Sequence, residues 1–442
     1  MIRWRSLLVI LLATLAASAA RAQSYSLTEA LHAGDCFRYD LNMTLKGELR
    51  VNKDGKPVSI PLAATAQHQF IERLLEVKSE KTPQKAARYY SIAKAITQVS
   101  GANHERTLRD ERRLLVAQRD QAQFLCYSPA GAMTRDEKEL ASEHFDTLAL
   151  AGLLPPAEVK LEETWKIPNE TAQALCLYEG LISNELVAKL EQIEDGFAII
   201  SISGKTQGID LGALVKETIT ATVRYAILPK RIVRLEWTQK DERDQGPASP
   251  ASTLEATTII QRQASAQPKE LSDAALEAVP RGFEPPPALT LVYQADAKNR
   301  YDLAVTRDWQ LVAQTDTHMV LRLLERGDLI AQATITAWPK ADAGKHLEAD
   351  EFKKITSETP GWQMDEIVEA GEMPGESGRY VYRISARGIM DEVKVIQYFY
   401  LIAGSNGDQV IITLTLKPNQ ASKLGTRDLT LVGSIGFPKK TE

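Results

Sequence analysis

Between residues 37 and 51 apolar and polar side chains alternate. Phe37, Tyr39, Leu41, Met43, Leu45, Leu49 and Val51 share one parity; Arg38, Asp40, Asn42, Thr44, Lys46, Glu48 and Arg50 share the other. Successive side chains of a strand point to opposite faces, so the pattern predicts a long strand with one dry face. At about 3.3 Å per residue it spans roughly 50 Å, which a flat strand does not sustain. Gly47, on the apolar parity, is the expected bend. Asn52-Lys53-Asp54-Gly55 turns the chain, and Ile60, Leu62, Ala64, Ala66, His68 and Phe70 carry the return strand. Further strands are predicted over 87–99, 113–117 and 122–127.

Residues 134–165 break this rhythm. Thr134 and Glu137 have the spacing of a capping box, and Ala141, Phe145, Leu148 and Ala149 then follow a helical period. Pro155 and Pro156 stop it. The expectation is one long helix that covers the dry face of a large sheet. Strand patterns resume at 186–193 and 197–203 around Glu194-Asp195-Gly196. Ile219, Ala221, Val223, Tyr225 and Ile227 alternate next, answered after Pro229-Lys230 by Val233, Leu235 and Trp237. Leu254, Ala256, Thr258 and Ile260 close this part.

Residues 264–287 have linker composition, ending in Pro285-Pro286-Pro287. Beyond them, strands and hairpins are predicted around Tyr301, Leu321, Ala333, Trp362, Tyr380 and Val393, with helices near Phe352 and near the C-terminus. The run Val393 to Ile402 is apolar on both parities, as a strand covered on both sides requires. The expected class is α+β. A curled antiparallel sheet, a half-barrel, wraps one helix, and an α/β/α sandwich with a central antiparallel sheet follows.

Composition refines this picture. The 442 residues are 44% hydrophobic and 25% charged, an ordinary globular balance, long enough for two domains. The divisions expected are a leader over 1–22, a β-rich domain over 23–263, a linker over 264–287 and a second domain over 288–442. A net charge of −5 argues against a nucleic-acid partner. Arg3 and Arg5, an apolar run over 6–20 and Ala20-Arg21-Ala22 form a secretory leader, with cleavage expected between Ala22 and Gln23. The run is short for a membrane span and no later segment approaches that length, so the expectation is an exported chain, periplasmic or extracellular, without a transmembrane segment. Cys36 lies too far downstream to carry a lipid anchor. Export permits a disulfide; Cys126 and Cys176, which flank the helical stretch, are the candidate pair, and three buried free thiols are the equal alternative.

No catalytic pattern stands out. Gly375-Glu376-Ser377-Gly378 lacks the final glycine of a nucleophile elbow, and Ala343-Gly344-Lys345 lacks the rest of a phosphate loop. His68 sits on a core parity and reads as a packed histidine; Glu143 and His144 are adjacent on the expected helix and so diverge. Glu162-Glu163 and Asp350-Glu351 diverge likewise. The charged runs 104–113 and 241–244 read as solvated hairpin ends, and Tyr398-Phe399-Tyr400 reads as core. The expectation is no catalytic residue, no metal site and no cofactor.

Two resemblances follow. Gly34-Asp35-Cys36-Phe37-Arg38-Tyr39 and Glu162-Glu163-Thr164-Trp165-Lys166-Ile167 share an acidic, aromatic, basic, apolar order before two strand systems. With the sheet-and-helix order, this resembles the half-barrel of LolA/LppX-type envelope carriers. The order Tyr301-Asp302-Leu303-Ala304-Val305, Asp308-Trp309, hairpin, helix, aromatic strand ending at Ala403-Gly404, and a helix running into Ser434-Ile435-Gly436-Phe437 is similar to the PsbP/Mog/DcrB-type sandwich. These likenesses imply a non-catalytic binding or assembly protein of a bacterial envelope, its partner another envelope protein or an apolar small molecule. The alternatives are a carrier holding a lipid in the half-barrel, and a hydrolase whose site has no sequence signature.

Overall fold

The computed structural model describes residues 23–53, 55–78, 82–120, 123–142, 145–374 and 378–438. The leader and its cleavage point after Ala22 lie outside the described residues, as do Asp54 of the first turn, the Glu143-His144 pair and most of the string at 375–378. In chain order the strands are β1 Ser24–Tyr25, β2 Cys36–Lys53, β3 Lys56–Lys78, β4 Thr82–Val99, β5 Ala102–Thr107, β6 Leu114–Asp120, β7 Gln123–Tyr127 and β8 Met133–Thr134. Then come β9 Val159–Lys160, β10 Thr164–Lys166, β11 Gly180–Asn184, β12 Val187–Glu194, β13 Phe197–Asp210, β14 Ala213–Ala226, β15 Arg231–Arg243 and β16 Ala251–Ala264. The rest are β17 Val292–Ala295, β18 Asp302–Val305, β19 Trp309–Gln314, β20 His318–Glu325, β21 Asp328–Trp338, β22 Trp362–Met373, β23 Tyr380–Met390, β24 Val393–Ala403 and β25 Gln409–Leu416. The chain is β-rich, and its larger sheets are antiparallel and open-ended.

Thirteen strands form the first large sheet, in the order β10-β12-β13-β14-β15-β16-β2-β3-β4-β6-β7, with β11 beside β13 and β5 beside β4. The expected long strand is there: β2 pairs with β3 from Cys36↔Arg73 to Lys53↔Lys56. Gly47 is the point of closest approach by β16, where a Cβ would lie 2.1 Å from the Thr253 carbonyl oxygen. The inward parity of these strands builds one core, including Tyr39, Leu41, Phe70, Ile219, Val223, Leu235, Trp237 and Ile260.

The covering segment differs from expectation. The capping box forms, Thr134 N donating to Glu137 Oε2 at 2.9 Å and Glu137 N to Thr134 Oγ1 at 3.2 Å. The helix it opens, α1, runs only from Arg135 to Ser142. A separate 3-10 turn follows over Thr147–Leu153, started by Asp146, whose Oδ1 accepts from Leu148 N at 3.0 Å. Asp146 also holds Arg119 at 2.6 Å. An aspartate that satisfies free backbone N–H groups favours a fresh start over helix continuation. Phe145, Leu148, Leu150 and Leu153 still enter the sheet's core, with Phe145 edge-on to Trp237 at 5.7 Å. Buried Arg88 ties the turn down, donating to Glu72 Oε2 at 2.8 Å and to Thr147 Oγ1 at 2.7 Å. A second helix that the sequence pattern does not announce, α2 Asn169–Leu175, packs into the same core.

The charged run after residue 103 is not merely solvated. Arg109 binds Glu137 through Nε and Nη2 at 2.7 and 2.8 Å, and Arg106 reaches Glu139 at 2.7 Å, so the run clamps α1.

Seven strands form the second large sheet, in the order β19-β20-β21-β25-β24-β23-β22. Its hairpins, the helix over Ala349–Ser357 and the terminal helix over Arg427–Gly433 match the pattern read from sequence. Central β24 sends Tyr400 and Ile402 into one apolar cluster and Phe399 and Leu401 into another, so the doubly apolar run is covered on both sides.

The two sheets are tied together. β17 pairs in parallel with β8, Val292 opposite Met133, and Arg307 donates to the Cys126 carbonyl at 2.6 Å. The proline-rich segment between them does not hang free. Arg73 donates to the Leu271 carbonyl at 2.8 Å, Lys85 to those of Pro280 (2.7 Å) and Gly282, and Gln118 to that of Phe283 at 2.5 Å. None of the described helices is long and apolar enough to cross a membrane.

Candidate functional site: an arginine-lined groove

The turn joining β14 to β15 sits at one end of the first sheet. Val223 and Tyr225 point into the core, so Arg224 between them points out. Across the pair, Arg224 lies directly opposite Arg234. A register shift follows: Tyr225 pairs with Ile232, which leaves Val233 as an extra residue that kinks β15. Like charges at opposed positions stand about 4.5–5.5 Å apart at Cβ and destabilise the pair.

Two cavities with shared lining residues border this end. One, of about 480 Å³, is lined by Phe197, Arg224, Arg231, Arg234, Gln261 and Arg262 among others. The other, of about 460 Å³, is lined by Leu31, Cys36, Phe37, Lys230 and Arg231 among others. Pro229, Arg231 and Ala264 belong to both. The guanidinium of Arg224 stacks 3.8 Å from the Phe197 ring centroid, which holds the cation in place.

The arginines are not equally satisfied. Arg262 is buried and neutralised, with Nη1 2.9 Å from each Glu29 carboxylate oxygen, and it stacks on Phe37 at 3.8 Å. Arg234 meets Glu236 at 3.4 Å. Among the described residues no carboxylate lies within 4 Å of Arg224, Lys230 or Arg231. The Nε of Arg231 is buried with no hydrogen-bond acceptor. Leu228, next in the chain to Pro229 of the cavity wall, is 85% exposed. The groove therefore holds three cations, Arg224, Lys230 and Arg231, beyond those that Glu29 and Glu236 pair, on a chain whose overall charge is negative.

A second cluster lies inside the same sheet. Thr206, Glu217 and Asp241 form a row across β13, β14 and β15, Thr206 opposite Glu217 and Glu217 opposite Asp241. Tyr178 Oη lies 2.9 Å from Thr206 Oγ1, and Gln239 Nε2 donates to Asp241 Oδ2 at 3.0 Å. Glu217 Oε2 and Asp241 Oδ1 have no hydrogen-bond partner. Burial, and then the neighbouring Asp241 charge, push the Glu217 carboxyl up to about 8; burial pushes Asp241 up to about 6. Near neutrality the pair holds a proton that an ordinary pair would have lost. Burial and Glu217 also raise the Cys176 thiol, which keeps it protonated and a poor nucleophile.

The sequence pattern placed Asp241 in a solvated run; its strand continues to Arg243 and brings it to face Glu217. The signal was present, because Glu217 continues the inward parity of Val215 and Ile219. Cys36, Cys126 and Cys176 are all buried and free, so the candidate Cys126–Cys176 pair is not joined. Cys176 sits 3.7 Å from Thr206 Oγ1, whereas Cys126 lies in the β7 edge under Arg307. His68 is a buried core histidine, edge-on to Tyr90, its pKa lowered by burial to about 3. Glu162 pairs with Lys189 at 2.8 Å and Asp350 with Lys353 at 3.2 Å, as separate surface contacts.

No family model matches the chain, and no curated protein matches it. Among solved structures it is similar to the PsbP of Synechocystis sp. PCC 6803, at 17% identity over 34% of this chain and 93% of that one, with a TM-score of 0.27. The Ran-binding protein Mog1p of Saccharomyces cerevisiae is similar at 11% identity over 33% and 95%, TM-score 0.26. Lipovitellin, described for its lipid–protein interactions, matches at 10% identity over 55% of this chain but only 27% of its own, TM-score 0.30. Neighbours of the PsbP and Mog type are thus those the C-terminal sequence resembles, and each covers about a third of this chain.

Proposed function

We propose that this chain is an exported, non-catalytic binding protein whose working face is the arginine-lined groove, and that its partner presents negative charge there. One observation carries the reading: Arg224, Lys230 and Arg231 border two neighbouring cavities with no carboxylate within 4 Å of them among the described residues, on a chain of net charge −5. An unpaired cluster of cations costs stability through self-repulsion, and a partner's anion removes that cost. The non-catalytic part rests on the thiol of Cys176 being held protonated and on Glu217 being buried, with Asp241 only half-buried beside it.

The large sheet, on this reading, is a curled half-barrel that serves as a rigid mount. The carrier alternative required space beside Phe145 and Leu148. Both side chains instead pack in one core with Trp237 and Leu235, which favours the groove over the interior as the binding place.

Chromatography on an immobilised polyanion at pH 7.5 and low salt tests this. A protein of pI about 5.9 should flow through unless a basic face is concentrated. Retention that is lost in an Arg224→Gln/Arg231→Gln variant is the expected result. Flow-through of the parent, or equal retention of the variant, removes the reading.

A further inference from the structure

We infer that the groove is a binding site for a phosphoryl group, a tetrahedral oxyanion carrying two charges, presented on a phosphate monoester. This deepens the reading above and rests on it.

Two features select that chemistry. The first is number: Arg224, Arg231 and Arg234 line one cavity, and each guanidinium brings several donors in a fixed plane. A planar carboxylate has two acceptor oxygens and matches one such fork; three forks from different backbone positions match a group with three or more oxygens. The second is placement. Arg224 and Arg234 are opposed across β14 and β15; Glu236 partly offsets Arg234 at 3.4 Å, and an anion of charge two lying between the guanidinium groups relieves the repulsion that remains. Gln261, across from Arg234 on β16, adds a neutral donor at the same wall.

The surroundings are compatible with a doubly charged guest. The nearby acids are engaged: Glu29 with Arg262 at 2.9 Å, Glu236 with Arg234 at 3.4 Å, and Asp40 with Arg38 at 3.6 Å. Asp35, at the edge of the second cavity, accepts from the His32 backbone N–H at 2.8 Å. Each cavity, near 460–480 Å³, suits a small ester or a headgroup rather than a large fold. Leu228, 85% exposed and next in the chain to Pro229 of the cavity wall, has nothing to do for a soluble ester but would seat among acyl chains if the phosphate belongs to a lipid.

Isothermal titration of the purified protein with inorganic phosphate, glycerol 3-phosphate and acetate tests the chemistry. Sedimentation with phosphatidylcholine vesicles, with and without phosphatidic acid, tests the source. The expected result is binding of at least one phosphate-bearing probe tenfold or more tighter than acetate. An Arg224→Gln/Arg234→Gln variant, checked by circular dichroism for an unchanged fold, should lose tenfold or more of that affinity. A Lys230→Gln variant, at an exposed position, gives a smaller loss and keeps the test valid if the double variant misfolds. Glycerol 3-phosphate binding without vesicle binding identifies a soluble ester. Phosphatidic-acid-dependent sedimentation that falls in Leu228→Ser identifies a lipid headgroup. Acetate binding as tight as phosphate, or phosphate affinity unchanged in both arginine and lysine variants, overturns the inference. If polyanion retention is still lost in the arginine variant, the broader reading survives that outcome.

Discussion

The hairpin of β14 and β15 carries two like-charged cross-strand pairs, and they resolve their repulsion in different ways. Arg224 opposes Arg234 on the outer face; Glu217 opposes Asp241 on the inner one. A carboxyl can take up a proton, so the inner pair lowers its own charge, as the raised Glu217 and Asp241 values show. A guanidinium keeps its proton throughout the accessible pH range. The outer pair therefore relies on external charge: Glu236 meets Arg234 at 3.4 Å, and Arg224 is left to solvent ions or a partner. Identical geometry on one hairpin gives a pH-sensitive element inside and an anion-seeking one outside, and the side chains' proton chemistry alone decides which.

The largest expected effect comes from Glu217. An unfolded chain releases this proton near 4.5, whereas the folded one retains it to about 8. Between those values the folded state binds more protons, so stability present below 4.5 is lost as the pH rises towards 8. The groups facing it are Asp241, Asp210, Cys176 and Tyr178. Glu217→Gln removes the charge and should flatten the decline, raising stability at pH 8 by up to about 5 kcal/mol at the limit set by that shift. Calorimetric melting from pH 4 to pH 9 checks it; parallel curves for parent and variant would show that the row does not titrate in this range.

Arg262 lies beneath the groove but is already paired. Arg262→Met leaves Glu29 buried without its countercharge and should cost about 3–5 kcal/mol by urea unfolding. A loss below about 1 kcal/mol would mean that Glu29 finds water or a proton. By contrast, Arg224→Glu turns the outer pair into opposite charges. It should stabilise by only ~0.2–1 kcal/mol, partly offset by loss of the Phe197 stack, and the gain should shrink as salt rises. Destabilisation at low salt would show that the Phe197 stack outweighs the repulsion there. Smallest of all, Leu228→Ser should shift stability by less than about 0.5 kcal/mol, since the side chain is 85% exposed. A larger loss would mark that tip as structural.

Much of the architecture is legible in the sequence. Period-two runs such as 37–51 name their own dry face, and a two-residue turn such as Asp195-Gly196 fixes a register, here with both residues at positive φ. The covering segment is half legible. Its apolar period is right, but Asp146 acts as a new start only because Arg119 and a free backbone N–H are there to meet it. Neither is visible locally. The groove is invisible for the same reason: that Arg224 faces Arg234 depends on a one-residue bulge at Val233. The carboxyl row needed only attention to parity, since Glu217 breaks an otherwise apolar series.

The segment from Leu271 to Phe283 is gripped chiefly by its carbonyl oxygens, with Arg73, Lys85 and Gln118 as the donors. Every amino acid supplies a carbonyl, so the gripped strip is close to sequence-blind while the gripping residues are not. In a saturation scan the three donors should be intolerant. The strip itself should accept substitution freely, apart from fully buried Leu271, Asp273, which pairs with Arg73 at 2.7 Å, Gly282 at a φ of +71°, and Phe283, which lies 5.9 Å from the Lys85 ammonium. Drift in this region would then be neutral: related chains would diverge along the strip and keep the three hands that hold it.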